Sequence, residues 1–232
     1  MNIDMASLGS VMTAIGALGL AAFALVDTTK TLPGGGVSNF GFAFVEAAVK
    51  LFVVPAPDSA SAADQTGSLL YTLHANWIGG MAAPDQKAVA KSLIKLRLTP
   101  ETAAQYAAVT QVEPQALAQV AQRMTTGAAL DAQQGNALGR FDLALTAILD
   151  AAYQRADQRY RNASRSVAAL ASVALAGFGG YVVNDPQLAY AGSPQMWLAL
   201  FCGVLAVPLA PISKDLTSAL SAGVKLAQTL RR

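Results

Sequence analysis

Three stretches of the chain contain no Asp, Glu, Lys, Arg or His, and each is close to the length that crosses a bilayer: 6–26, 167–183 and 195–212. A helix rises about 1.5 Å per residue, so roughly 20 residues cover a hydrocarbon core of about 30 Å. Inside hydrocarbon every backbone N–H and C=O needs an internal partner, which leaves helices or a closed barrel. No sustained apolar–polar alternation runs along the chain, so helices are expected and a sheet is not. The expected fold is all-α: an integral membrane protein with about three transmembrane helices and a small cytoplasmic helical segment. Charged residues are 13% of the 232-residue chain, against about 25% in a typical soluble domain. The deficit is concentrated in those three stretches.

The first stretch is expected to be a retained span. A secretory signal needs a basic start and a short apolar core. Here Asp4 is the one charge before the run, and the run is long. Residues 1–30 thus read as an N-terminal transmembrane helix. Residues 31–63 read as a Gly-rich hinge (Gly34, Gly35, Gly36), a short helix near 37–54 and a Pro/Ala linker beginning at Pro55. The short helix has Phe40, Phe44, Ala47, Ala48 and Leu51 at helical spacing, and Glu46 and Lys50 placed to pair. It is expected to lie along the membrane surface or against other helices, with an imperfect fourth span as the runner-up.

Residues 64–165 read as the cytoplasmic segment, several short helices ending in a long one. Pro84, Pro100 and Pro114 suit first-turn positions, Thr99 and Asp131 suit N-caps, and Leu138, Phe141, Leu145, Ile148 and Ala152 form an apolar seam. No strong breaker separates this long helix from the second span, so one helix is expected to run through both. Residues 166–213 read as a transmembrane hairpin. Pro208 and Pro211 are expected to kink or stop its second helix. Residues 214–232 read as an amphipathic tail, with Leu216, Leu220, Val224, Ala227 and Leu230 on one face.

Three sets of residues are candidates for contact with partners or lipid. Gly9, Thr13, Ala17 and Ala21 on the first span, and Ala168, Ser172, Ala176 and Gly180 on the second, recur every four residues. Small stripes of this kind let another helix approach closely. Arg155, Arg159, Arg161 and Arg165 precede the second span, at the level of anionic headgroups. Tyr181, Tyr190 and Trp197 gather at the hairpin turn, as interfacial aromatics do. The hairpin turn has no Lys or Arg, whereas the middle segment and the tail do. The positive-inside rule therefore puts the middle segment and C-terminus in the cytoplasm, as in a bacterial inner-membrane protein.

Chemistry is harder to find. A single cysteine, Cys202, and a single histidine, His74, exclude an intramolecular disulfide and any site needing several thiolates or imidazoles. His74 has no nucleophile or carboxylate nearby in sequence and reads as structural; Cys202 reads as a packing residue. The 34–36 glycines lack the Lys and Ser/Thr of a phosphate loop. Residues 102–124 faintly suggest a helix-turn-helix through Ala107, Val112, Leu117 and Val120. Its outward face would carry Gln115, Gln119, Gln122 and Arg123, and a net charge of +2 supplies no basic footprint. The expectation is no cofactor, no metal, no nucleic acid and no enzymatic activity. The partners are membrane lipid and either further copies of the chain or another protein. The leading reading is a membrane-anchored scaffold or accessory subunit; the alternative is a homo-oligomeric pore or membrane-remodelling protein.

Overall fold

The computed structural model describes residues 5–32, 34–53, 60–184 and 187–230; of these, the side chains at 5–8, 60–66, 187, 188, 213, 214 and 216–230 lie outside the described set. Among the described residues the protein is all-helical and has no strand. Its α-helices are α1 (Met5–Thr28), α2 (Asn39–Lys50), α3 (Ala60–Ile78), α4 (Ala83–Leu96), α5 (Ala103–Thr110), α6 (Pro114–Thr126), α7 (Ala132–Val183), α8 (Gln187–Tyr190) and α9 (Pro194–Leu230). Most of the linker beginning at Pro55 and the residues Asp185 and Pro186 of the hairpin turn are outside the described residues, as are Arg231 and Arg232 of the tail. Among the described residues, three segments are long and apolar enough to cross a membrane: Gly9–Thr31, Ala132–Val183 and Pro194–Ile212. Within α7 the charge-free run of span length is its last part, from residue 166.

The chain forms two compact units, Ser38–Tyr160 and the pair of segments Met1–Val37 and Arg161–Arg232. The boundary at Ser38 puts α2 inside the helical unit, so that unit begins well before the Pro/Ala stretch. The helix α3 starts at Ala60, within the segment read as linker, because Ala60, Ala62 and Ala63 favour helix.

The Ser38–Tyr160 unit has one apolar core. Phe42, Val45, Val49 and Phe52, from α2 and the turn after it, meet Leu69 and Leu73 of α3, and all six are buried. Further along the same core, Ile94, Tyr106, Leu117 and Val120 pack with the seam of α7. That seam is Ala137, Phe141, Leu145, Leu149, Tyr153 and Ala156; Leu138 and Ile148 are at its half-buried margin. Tyr106 is fully buried, stacked on Phe141 at 6.1 Å and edge-on to Phe52 at 5.4 Å. Burial pushes its phenol up to about 12, with the Arg97 charge opposing.

Local signals explain most helix starts. Pro84 lies in the first turn of α4 and Pro114 opens α6. Glu113 caps α6 by accepting from the N–H groups of Gln115 and Ala116. Asp131 and Gln134 cap α7 reciprocally: Gln134 N–H donates to Asp131 Oδ1 at 2.8 Å and Asp131 N–H to Gln134 Oε1 at 3.2 Å. Pro100 differs from expectation. It sits in a turn before α5, because the Thr102 hydroxyl donates to Arg97 O and accepts from Thr99 N–H, so the helix starts only at Ala103. Ion pairs join α4 to α7: Lys87 to Asp150 at 2.5 Å, Lys91 to Asp142 at 2.6 Å, and Lys95 to Asp142. Partial burial pushes the Asp142 carboxyl up, but hydrogen bonds and charge from the two lysines outweigh it and hold the carboxyl below its usual range.

In the other unit α1, α9 and the end of α7 come together through small residues. A Cβ on Gly19 would lie 2.1 Å from Ala206 O, and a Cβ on Gly203 would lie 2.6 Å from Val173 Cα, so these backbones touch. The hydroxyl of Ser172 faces Gly203 O at 2.7 Å and Ala169 O of its own helix at 2.9 Å. Pro208 and Pro211 do not end α9, which continues to Leu230. Each proline removes one N–H from the ladder and leaves the rest of the helix intact. Gly203→Ala should lower the melting temperature of the purified protein, since backbone atoms cannot move aside; an overpacked site of this kind costs about 1–3 kcal/mol. Gly179→Ala, with nothing within 4 Å of the new methyl, should hold or raise it.

Candidate functional site

The two ends of the helical unit are stitched together by the C-terminal half of α3. Ser38 and Asn39 open α2, and Ala156 and Tyr160 lie on α7 where the unit ends. The indole N–H of Trp77 donates to Ser38 O at 3.1 Å, and its ring meets Tyr160 edge-on at 6.4 Å and Tyr153 at 6.4 Å. His74 Nε2 and Asn39 Oδ1 are 2.8 Å apart, and the imidazole leans on Phe42 at 4.7 Å. Between these groups sits Gly41. A Cβ there would lie 2.6 Å from Ala156 O, 2.8 Å from Trp77 Cζ2 and 3.1 Å from Tyr160 Cβ.

This collar uses the chain's one histidine as a positioning contact between α2 and α3. The imidazole faces an amide and a phenyl ring, which orient it but supply no nucleophile or carboxylate for base catalysis. Among the described residues, no group of three or more His, Cys, Asp or Glu side chains is placed to hold a metal ion. Cys202 is half-buried on α9 with its thiol free.

The glycine loop folds back on the end of α1. Leu32 N–H donates to Thr29 O at 3.1 Å, Gly35 N–H to Leu32 O at 2.9 Å, and Val37 N–H to Thr29 Oγ1 at 3.3 Å. Gly34, Gly35 and Gly36 have φ of 86°, 78° and 52°, three consecutive left-handed residues that only glycine adopts easily. The loop is a tied turn, and three of its N–H groups are engaged within the chain and so do not face a phosphate.

The predicted stripes separate in their surroundings. Ala168 and Ser172 are buried, Ala176 and Gly180 are half-buried, and the phenol of Tyr190 rests against Gly180. Ala17 and Ala21 are exposed, Gly9 has open space beside it, and the Thr13 hydroxyl donates to Gly9 O at 2.9 Å. The buried side of α1 is instead Gly16, Gly19, Ala22 and Val26. It faces Ala206 and Ala210 of α9, a pair the sequence reading did not single out. Arg155, Arg159, Arg161 and Arg165 are all exposed. At the hairpin turn Trp197 is 64% exposed and Tyr181 is 39% exposed, whereas Tyr190 is buried, its ring edge-on to Tyr181 at 6.4 Å.

α5 and α6 pack on one another and are joined by a short turn at 111–113. Gln111 takes the left-handed position in the turn, with φ of 55°, where such turns often have glycine. Ala107, Val112, Leu117 and Val120 are the pair's buried contacts, and Gln115, Gln119, Gln122 and Arg123 are exposed on α6. One cation on that face gives little of the counterion release on which nucleic-acid affinity depends.

Compared with protein-family models, with curated proteins and with solved structures, the chain has no match in any of the three.

The collar predicts a sharp contrast between two glycines. Gly41→Ala should lower the melting temperature, by the equivalent of about 1–3 kcal/mol, because Ala156 O cannot retreat. Gly67→Ala, in open space on α3, should hold or raise it, since alanine favours helix by about 1 kcal/mol over glycine.

Proposed function

We propose that this protein is a membrane-anchored scaffold or accessory subunit that acts by helix packing and partner binding, without chemistry of its own. The supporting observation is α7. One uninterrupted helix supplies the seam of the helical unit, from Ala137 to Ala156, and then the packing face of the membrane-type unit at Ala168 and Ser172. A chain built this way holds a folded helical module to a bilayer. The organisation of charge favours a cytoplasmic location for that module and the C-terminus, at a bacterial inner membrane. The Arg155–Arg165 cluster, with its four arginines exposed, suits contact with lipid headgroups. No nucleic acid and no cofactor is part of this reading.

A second reading is a homo-oligomeric pore or membrane-remodelling protein. It is favoured by the stripe of Gly9, Thr13, Ala17 and Ala21, whose exposed small residues would admit a helix of another copy. Extraction into lipid discs followed by native mass spectrometry separates the two. A stoichiometric complex with a different protein is the expected result. A discrete ring of identical chains would overturn the scaffold reading in favour of the second.

A further inference from the structure

α2 is apolar on two sides. Its inner side, Gly41, Phe42, Val45 and Val49, is buried in the core. Its outer side carries Phe40, Ala43, Phe44, Ala47 and Leu51, all exposed, with Phe40 at 55%, Phe44 at 40% and Leu51 at 50%. Glu46 and Lys50 neutralise one another at 2.6 Å along its flank. Three large apolar side chains at i, i+4 and i+11 on an unpartnered helical face need an occupant.

Two observations identify that occupant. The first is covalent reach. Val37 N–H is tied to Thr29 Oγ1, at the end of the first membrane-type segment, and Phe40 is three residues further on. At a maximum of about 3.6 Å per residue, Phe40 lies within roughly 11 Å of that anchor, so the chain keeps the start of α2 close to the end of the span-length segment. The second is charge. Gly41 packs against Ala156 and Tyr160, so the exposed Arg155 and Arg159 belong to the same end of the helical unit as the start of α2. Exposed apolar side chains on a unit that also exposes arginines at that end match an anionic lipid surface.

We propose that the outer face of α2 is a lipid-binding foot, resting in the headgroup region of an anionic leaflet with Phe40, Phe44 and Leu51 inserted. This rests on the membrane-anchored reading and adds a second, in-plane contact to the spans. The test uses the full chain with Cys202→Ser and one new cysteine carrying an environment-sensitive fluorophore, at Phe44→Cys or, should that variant not fold, Phe40→Cys. Tyr71→Cys on exposed α3 serves as the water reference and Phe201→Cys on α9 as the insertion reference. The protein is reconstituted in vesicles of phosphatidylcholine and phosphatidylglycerol containing lipids with a nitroxide near the headgroup. Quenching at Phe44 is expected to exceed that at Tyr71 by about twofold or more, and to weaken when phosphatidylglycerol is omitted. Quenching at Phe44 no stronger than at Tyr71, or unchanged without phosphatidylglycerol, overturns the foot. Lipid protection at Phe201 in the same experiment leaves the anchored reading standing; its absence overturns that reading as well.

Discussion

Backbone-to-backbone contact between helices is the interaction on which the membrane-type unit depends. In hydrocarbon, apolar side chains gain nothing by leaving one apolar neighbour for another, so helices associate through close packing and polar contacts. Gly19 against Ala206, and Gly203 against Ser172 and Val173, give that closeness, and the Ser172 hydroxyl adds a hydrogen bond to Gly203 O. A larger residue at either glycine would separate the helices and weaken many dispersion contacts together. The large side chains, such as Leu20, Leu170 and Phe201, are correspondingly turned outward.

The helical unit obeys a different rule. It is organised around a conventional apolar core, with Phe141, Leu145 and Leu149 of α7 as its spine and ion pairs from Lys87, Lys91 and Lys95 along one side. Such partly exposed pairs contribute little each, about 0–1 kcal/mol, so orientation of α4 on α7 rather than stability is their main effect. The aromatic collar of His74, Trp77 and Tyr160 then ties the unit's first helix to its last. Closing the chain ends in this way makes the unit an insertion between two membrane-type segments.

Much of this was legible from charge and breakers alone. The charge-free runs mark the three span-length segments, and the absence of Gly or Pro between Gln154 and Val167 marks α7 as one helix. The capping role of Asp131 follows from its place before an apolar-periodic run. The packing face of α1 was not legible, for a physical reason. In a helix as rich in small residues as α1, several faces carry small stripes, and which one packs depends on the partner. Gly9–Thr13–Ala17–Ala21 is as regular as the buried Gly16–Gly19–Ala22–Val26. Gly41 looked like an ordinary residue of an apolar helix, because its neighbours Trp77, Ala156 and Tyr160 are far away in sequence. Pro208 and Pro211 suggested a kink or a stop; α9 does not stop there, because a helix tolerates the loss of two N–H groups where its surroundings allow.

The central claim is that the span-length helices cross a bilayer and leave the helical unit on one side of it. Labelling with a membrane-impermeant maleimide tests this most directly, in sealed membranes of cells expressing Cys202→Ser with one added cysteine at Leu143 or at Gly192. Leu143 is exposed on the helical unit and Gly192 lies in the hairpin turn. The account predicts that the two positions are labelled from opposite sides, Gly192 from outside and Leu143 only after the membrane is opened. Labelling of both from the same side would contradict it.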